Sequence, residues 1–142
     1  MPDYLEILRS ILANDGKLLK PETVEAIFTP QLNQQGKEGL KAFVSGPMGA
    51  FTIGEWKPEV ELDWGIGGVL LMQDYGDGRR KKGTLSWGGM ANTFWIIDRE
   101  ADLAVAFGTQ VLPPGDKGVE EMISAVEWGV YERKGVRFES KL

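Results

Sequence analysis

The stretch that decides the fold runs from Gly83 to Glu100 and reads GTLSWGGMANTFWIIDRE. It begins as an apolar strand, has two glycines directly after Trp87, and continues as a second apolar strand that ends in a charged turn. Apolar runs bounded by Gly, Asn and Asp are typical of β-strands. Because strands joined by so short a turn must run antiparallel, the stretch predicts an antiparallel pair.

Working outward, we predict further strands before and after this pair. Asp77-Gly78 indicates a tight turn between two long strands, and residues 99–102 indicate another. The polar segment from Gln31 to Gly39 is interpreted as a loop, after which the apolar period changes to that of strands. The additional strand-like segments are 42–45, 49–54, 61–73 and 101–111.

Helical periodicity predicts three helices. The first spans residues near 3–14 and ends at Asn14-Asp15-Gly16, where glycine suits a left-handed cap. The second is short, with Pro21 at its first position. The third begins after Asp116 as a cap, and its predicted buried stripe is Val119, Met122, Ile123, Val126 and Val130. This order predicts an α+β fold in a single domain, 1–142, with an antiparallel sheet flanked by helices.

Composition excludes several classes of function. The chain has 142 residues, a net charge of −5 and no cysteine or histidine. An acidic domain without a basic patch is not expected to bind nucleic acid, and the run Arg79 to Lys82 is interpreted as a solvated hairpin tip. Without Cys or His, we expect no disulfide, no metal site, no cofactor and no Ser-His-Asp triad. The segment DYGDGRR, residues 74–80, lacks the spacing of a calcium loop.

The first and last residues of the sequence bear on its cellular location. No apolar run is long enough to span a membrane, and the first residues lack the form of a signal peptide. The last residues, Ser140-Lys141-Leu142, match the peroxisomal import tripeptide, although a chance ending is the alternative. We therefore expect a peroxisomal protein, and otherwise a cytoplasmic one.

Two glycine-containing segments are candidates for a site. Trp64 to Gly68, WGIGG, lacks the spacing of a dinucleotide fingerprint, and it indicates either close backbone approach or a strand that lines a ligand site. Ser86 to Met90, SWGGM, leaves the strand without side chains at its two glycines. Either a ligand hydrogen-bonds to that bare backbone, or the glycines form a bulge under a neighbouring aromatic residue.

Two segments of the sequence resemble a known protein family. Residues 83–116 followed by a helix, together with 4–32, are similar to the C-terminal part of serine β-lactamase-like esterases and acyltransferases, above all fungal lovastatin-type transesterases. The resemblance implies a partial β-lactamase/transpeptidase-like fold and acyl chemistry in secondary metabolism. In that family a serine of a Ser-x-x-Lys motif is the nucleophile, and a third motif lies on a strand beside it.

The resemblance also implies residue roles. Trp87-Gly88-Gly89 matches the third motif, so the peptide N–H of Met90 would be an oxyanion donor. Ser86, Trp87, Gly88 and Gly89, with Trp64 nearby, would contact an ester or acyl-thioester substrate. Trp87 stands where many relatives carry a cation, which favours such substrates over penicillin-type carboxylates.

The chain departs from the family because it contains no Ser-x-x-Lys. We therefore expect no acyl transfer by the chain alone, and an exposed sheet edge for a companion N-terminal fragment or a second copy. The alternatives are a truncated descendant that binds an apolar small molecule among Trp64, Trp87, Phe94 and Trp95, and a module that pairs only through its sheet edge. Asp98 and Arg99 are predicted to form a local ion pair. Glu120, Glu121 and Glu127 are predicted to be solvated, and the predicted core tryptophans are Trp56, Trp95 and Trp128.

Overall fold

The computed structural model describes residues 2–46, 49 and 56–135. These residues form helices and one five-stranded antiparallel sheet with the strand order β1-β2-β3-β4-β5. The helices are α1 (Pro2–Ala13), α2 (Pro21–Ile27), α3 (Gln34–Ser45) and α4 (Lys117–Arg133). The strands are β1 (Leu62–Gly65), β2 (Gly68–Leu71), β3 (Leu85–Gly89), β4 (Thr93–Asp98) and β5 (Leu103–Phe107). The predicted α+β class and the antiparallel pair β3–β4 are confirmed.

The core lies where helices cover the sheet. The largest cluster joins α4 to β4 and β5, and it consists of Phe94, Ile96, Leu103, Val105, Val119, Ile123 and Tyr131. A second cluster places Ile27 of α2 against Leu70 and Leu85 of the sheet. Helix α1 lies against β4 and β5 and buries Leu8. The first two predicted helices are confirmed as α1 and α2, with Pro21 in the first turn of α2.

The predicted loop at 31–39 and strand at 42–45 are wrong, because α3 occupies most of this range. The Asn33 side chain accepts a hydrogen bond from the Gly36 N–H at 2.9 Å, which caps the helix. Within α3 only Leu40 is buried, so the helix lies on the surface and its polarity resembles that of a loop. The predicted strand at 49–54, Gly49 apart, lies outside the described residues.

The segment 61–73 forms two strands rather than one. Ile66 and Gly67 form the turn between them, and Gly67 has a φ of 103° that favours glycine. A side chain at Gly65 would overlap the Ile27 carbonyl, and one at Gly68 would lie 2.8 Å from the Ser86 carbonyl oxygen. The glycines of WGIGG therefore permit close backbone approach.

The two arginines of the basic run are buried, so the interpretation of the run as a solvated hairpin tip is wrong. Arg79 and Arg80 are 3% and 1% exposed. The Arg80 guanidinium binds both carboxylate oxygens of Glu127, at 2.6 and 2.7 Å, and lies among the rings of Trp56, Tyr75 and Phe94. Glu127 is 2% exposed, so its predicted solvation is also wrong. Arg80 and Glu127 have opposite charges and bind each other directly, which allows both charges to be buried.

The buried face of α4 differs from the predicted stripe. Met122 and Val126 are 52% and 37% exposed. The buried positions repeat every four residues, and they are Val119, Ile123, Glu127 and Tyr131. The helix therefore buries Glu127, the partner of Arg80, and Tyr131. A search for apolar residues could not indicate that these two polar side chains are buried. Asp116 does cap the helix, since its side chain accepts from the Val119 N–H at 3.0 Å.

Asp98 and Arg99 do not pair with each other, contrary to prediction. The buried Asp98 carboxylate accepts from the Tyr131 hydroxyl at 2.8 Å and from the Lys81 and Ala101 N–H groups. Arg99 instead binds Glu25 of α2. Asp98 thus ties the end of β4 to α4, while Arg99 ties it to α2.

The outer edge of β1 is covered by the connection between α2 and α3. The Gln31 N–H donates to the Trp64 carbonyl at 3.0 Å. The buried Asp63 carboxylate accepts from the N–H groups of Gln31, Leu32 and Trp64, and Lys37 lies 3.2 Å away. Burial would raise the Asp63 pKa, but these hydrogen bonds outweigh it and lower the pKa.

We expect Asp63→Asn to lower the free energy of unfolding near neutral pH, with a loss that shrinks in acid. A carboxyl with a lowered folded pKa adds stability above its unfolded pKa, near 3.8, and loses it as pH falls through the folded value. Urea unfolding of both proteins at about pH 7 and about pH 3 checks this. Glu100→Gln, on an exposed turn, is the control. A loss that is equal at both pH values would contradict the assignment.

Candidate functional site

The second half of β3 lies open on one side. All residues of β3 pair with β4, from Leu85 opposite Ile97 to Gly89 opposite Thr93. On the other side only Leu85 and Ser86 pair with β2. Within the described part of the chain, Trp87, Gly88 and Gly89 therefore have no strand partner on the β2 side.

Alternation along the strand decides which backbone groups face this open side. The Ser86 carbonyl points at β2, since it lies against Gly68. Backbone N–H and C=O groups of alternate residues point to the same side of a strand. Gly88 therefore directs its N–H and C=O to the open side, and Met90 follows directly after the strand, as the first residue of the β3–β4 turn.

An aromatic pair borders the open side. The Trp64 and Trp87 rings meet edge to face, with centroids 4.7 Å apart and an interplanar angle of 75°. Both side chains are half-buried. Such a pair is rigid and presents apolar surface at the point where the β2–β3 ladder ends.

A cavity of about 250 Å³ adjoins the same strand. It is bounded by α1 and by β3, β4 and β5, and no charged side chain lines it. The lining residues are Tyr4, Trp87, Gly88, Thr93, Phe94, Trp95 and Phe107. Its walls are mainly aromatic, so it suits an uncharged apolar group. Burial raises the pKa of the Tyr4 phenol.

The structure brings together some of the predicted site residues but not all of them. Trp87 and Gly88 line the cavity, and Trp64 contacts Trp87. Gly89 is half-buried, and a side chain added there would lie 3.0 Å from the Thr93 hydroxyl. Met90 does not line the cavity, and its side chain is 70% exposed.

Ser86 is fully buried, and its hydroxyl has no hydrogen-bond partner among the described residues. Its register partners are Val69 and Ile96, both in the core. The side chain therefore does not reach the cavity, and direct contact with a ligand is not expected of it.

Sequence reasoning missed three lining residues, Tyr4, Thr93 and Phe107. Thr93 lies opposite Gly89 in the β3–β4 register, so the turn length could have indicated it. Tyr4 and Phe107 come from α1 and β5, and no local signal places them beside β3.

Two classes of site are not seen in the described residues. No group of three or more acidic residues there is arranged to hold a metal ion. No helix of residues 2–46 or 56–135 is long and apolar enough to cross a bilayer.

The fold and the sequence both match fungal enzymes. No protein-family model matches the chain. The chain is 38% identical over 114 residues to the lovastatin esterase of Penicillium rubens, covering 80% of this chain and 28% of that protein. It is 30% identical to the monacolin J acid methylbutanoyltransferase of Aspergillus terreus, covering 90% and 31% respectively.

Solved structures agree. A variant of simvastatin synthase from Aspergillus terreus superposes with a TM-score of 0.85 and 28% identity, covering 93% of this chain and 34% of that one. The hydrolase EstCE1 superposes with a TM-score of 0.63 at 21% identity, which supports the fold alone.

The chain therefore has part of a β-lactamase-like fold, which confirms the predicted class. Within that class it is a relative of the fungal lovastatin esterases and monacolin J acyltransferases, as the resemblance implied. It spans about a third of the length of these relatives, which is consistent with a C-terminal module.

Proposed function

We propose that the chain supplies the carbonyl-binding strand of a β-lactamase-like esterase or acyltransferase. The nucleophilic serine of this enzyme would come from a companion N-terminal fragment. The observation that carries the proposal is the open side of β3 at Gly88 and Gly89, directly before Met90 and next to an uncharged aromatic cavity. An ester or thioester carbonyl laid along this side would meet peptide N–H groups, because no side chain at Gly88 or Gly89 intervenes.

In this arrangement the chain stabilises charge rather than attacking the acyl carbon. As an external serine adds to the acyl carbon, negative charge develops on the carbonyl oxygen. The Met90 N–H donates a hydrogen bond to this oxygen. The serine's own N–H would be the second donor, as the family resemblance implies. The cavity would hold the apolar acyl group and exclude water.

The substrate class follows from the site and from the names of relatives. The relatives are named for lovastatin and for methylbutanoyl transfer to monacolin J acid. The cavity of this chain carries no charged side chain, so a neutral ester or acyl thioester suits it better than a carboxylate. We therefore include an uncharged ester or acyl-thioester substrate in the proposal.

Complementation tests the proposal. The chain is co-expressed with the portion of the Penicillium rubens lovastatin esterase that it does not match, and hydrolysis of a p-nitrophenyl ester is followed. We expect turnover only when both portions are present, and none when the serine of the partner's Ser-x-x-Lys is changed to alanine. Absence of turnover with every relative tried would contradict the proposal.

The partner would dock at a strand edge. The β1 edge is bonded to the α2–α3 connection, whereas β5 pairs only with β4 among the described strands. We propose that a companion fragment, or a second copy of the chain, adds to the outer side of β5. Solution mass of the chain with and without the complementing portion checks this.

A second candidate function is supported by the cavity itself. An aromatic cavity of about 250 Å³ can bind an apolar small molecule without covalent chemistry. A serine-directed phosphonate probe tests both candidates at once. Labelling of the isolated chain would contradict both, since neither assigns it a nucleophile.

Peroxisomal location is a separate proposal, carried by Ser140-Lys141-Leu142, which lies outside the described residues. A fluorescent protein extended by the last residues of the chain should enter peroxisomes, and deletion of Leu142 should abolish entry. Diffuse fluorescence of the intact fusion would contradict it.

A further inference from the structure

The proposed oxyanion donor lies on a turn rather than in the sheet. The last pair of the β3–β4 ladder is Gly89 opposite Thr93, so Met90, Ala91 and Asn92 form the turn beyond it. The direction of the Met90 N–H is therefore set by whatever holds this turn. A hydrogen-bond donor in an oxyanion hole must be fixed in advance to be effective.

Asn92 holds the turn from within. Its side chain is buried, and its backbone has a φ of 51°, a left-handed conformation that Asn tolerates. The side-chain amide donates to the carbonyls of Val111 at 2.8 Å and Pro113 at 3.0 Å. The Gly115 N–H donates to the side-chain oxygen of Asn92 at 3.0 Å.

A second tether joins the same two segments. The Thr109 hydroxyl donates to the Ala91 carbonyl at 3.1 Å. The segment 109–115 leads directly into the capped start of α4, whose residues Val119 and Ile123 are in the core. The turn is thus connected through Asn92 and Thr109 to the packed helix.

We propose that Asn92 is a positioning residue that fixes the Met90 N–H toward the acyl oxygen by tying the β3–β4 turn to residues 109–115. This inference rests on the proposed function. Asn92 is not among the residues lining the cavity, so it acts on the donor and not on the apolar part of the substrate. Its loss should therefore lower kcat and leave KM nearly unchanged.

The experiment uses the complemented enzyme and a matched pair of glycine variants. Asn92→Gly keeps the left-handed backbone accessible but removes all three side-chain hydrogen bonds. Asn14→Gly is the control, because Asn14, directly after α1, has a φ of 48° and its side chain donates to Glu25 of α2 at 3.1 Å. We expect Asn92→Gly to lower kcat by about 10- to 100-fold with KM within about twofold, and Asn14→Gly to leave both unchanged.

The second tether gives a conservative rescue. Thr109→Val removes the hydroxyl and should lower kcat in the same direction, whereas Thr109→Ser keeps it and should restore kcat. A rise in KM at constant kcat for Asn92→Gly would overturn the proposal, since it would place Asn92 in substrate binding.

A measurement on the isolated chain separates this inference from the proposed function. With ¹⁵N-methionine labelling the chain has five labelled residues, and the Met90 signal is the one lost in Met90→Ala. We expect an amide order parameter of about 0.85 in the parent and below about 0.6 in Asn92→Gly. Equal order parameters would overturn the positioning role, whatever the activity. A rigid Met90 amide that loosens in the variant, with no ester turnover in any complemented pair, would contradict the proposed function and leave the tether established.

Discussion

Met90→Pro should lower kcat for ester hydrolysis by the complemented protein about 100- to 1000-fold, the loss expected on removing one oxyanion donor. Proline has no N–H, so the developing negative charge on the acyl oxygen would lose its hydrogen-bond donor at position 90. Met90→Ala keeps the N–H and is the reference for this loss, because the Met90 side chain is mostly exposed.

Two controls separate chemistry from folding. The urea midpoint of each variant is measured, so that a proline effect on the turn is recognised. The α-hydroxy analogue of methionine at position 90 replaces the N–H by an ester oxygen without constraining φ, and it should reproduce the loss. Equal rates for the proline, alanine and α-hydroxy variants would refute the role of this amide.

Glu127→Gln should lower the free energy of unfolding by about 3 to 5 kcal/mol, because it leaves the buried Arg80 charge without its partner. Arg80 has no other carboxylate contact among the described ion pairs, and the rings of Trp56 and Tyr75 lie beside its guanidinium. Glu127 also lies 3.4 Å from Arg79, which keeps Asp77 as its partner at 2.7 Å. Urea unfolding at neutral pH provides the measurement.

The matched control lies on the same helix. Glu121→Gln changes an exposed carboxylate and should alter stability by less than about 0.5 kcal/mol. The double change Arg80→Met with Glu127→Leu removes the charges of both residues, and because Arg79 keeps Asp77, it should recover most of the loss. A loss below about 1 kcal/mol for Glu127→Gln would contradict the assignment of this pair as a buried anchor.

Local pattern predicted the parts of the fold that local physics controls. The turn between β3 and β4, Pro21 at the start of α2 and the Asp116 cap were all predicted, since each depends on neighbouring residues. The burial of Arg80 was not predictable in this way, because its carboxylate partner is Glu127, on α4. Helix α3 was missed because its sequence is polar and contains Gly36 and Gly39, which are typical of a loop, although its few apolar residues repeat at helical spacing.

The candidate site likewise contains residues that the sequence indicated and residues that depend on the packing of distant elements. The bare backbone at Gly88 and Gly89 and the nearby Trp64 were suggested by sequence and by family resemblance, and the open side of β3 is what the structure adds. The walls contributed by Tyr4 and Phe107 depend on how α1 lies against β5. Periodicity gives the faces of a helix but not the strand that it will cover.

The covering of β1 by the α2–α3 connection limits how copies of this chain could associate. A sheet with two free edge strands allows open-ended association, because each added molecule leaves another edge unpaired. Here one edge is already occupied by the chain's own backbone, through Gln31 and Trp64. Strand addition at β5 would then stop at two molecules, so closure into pairs is favoured over growth into fibres.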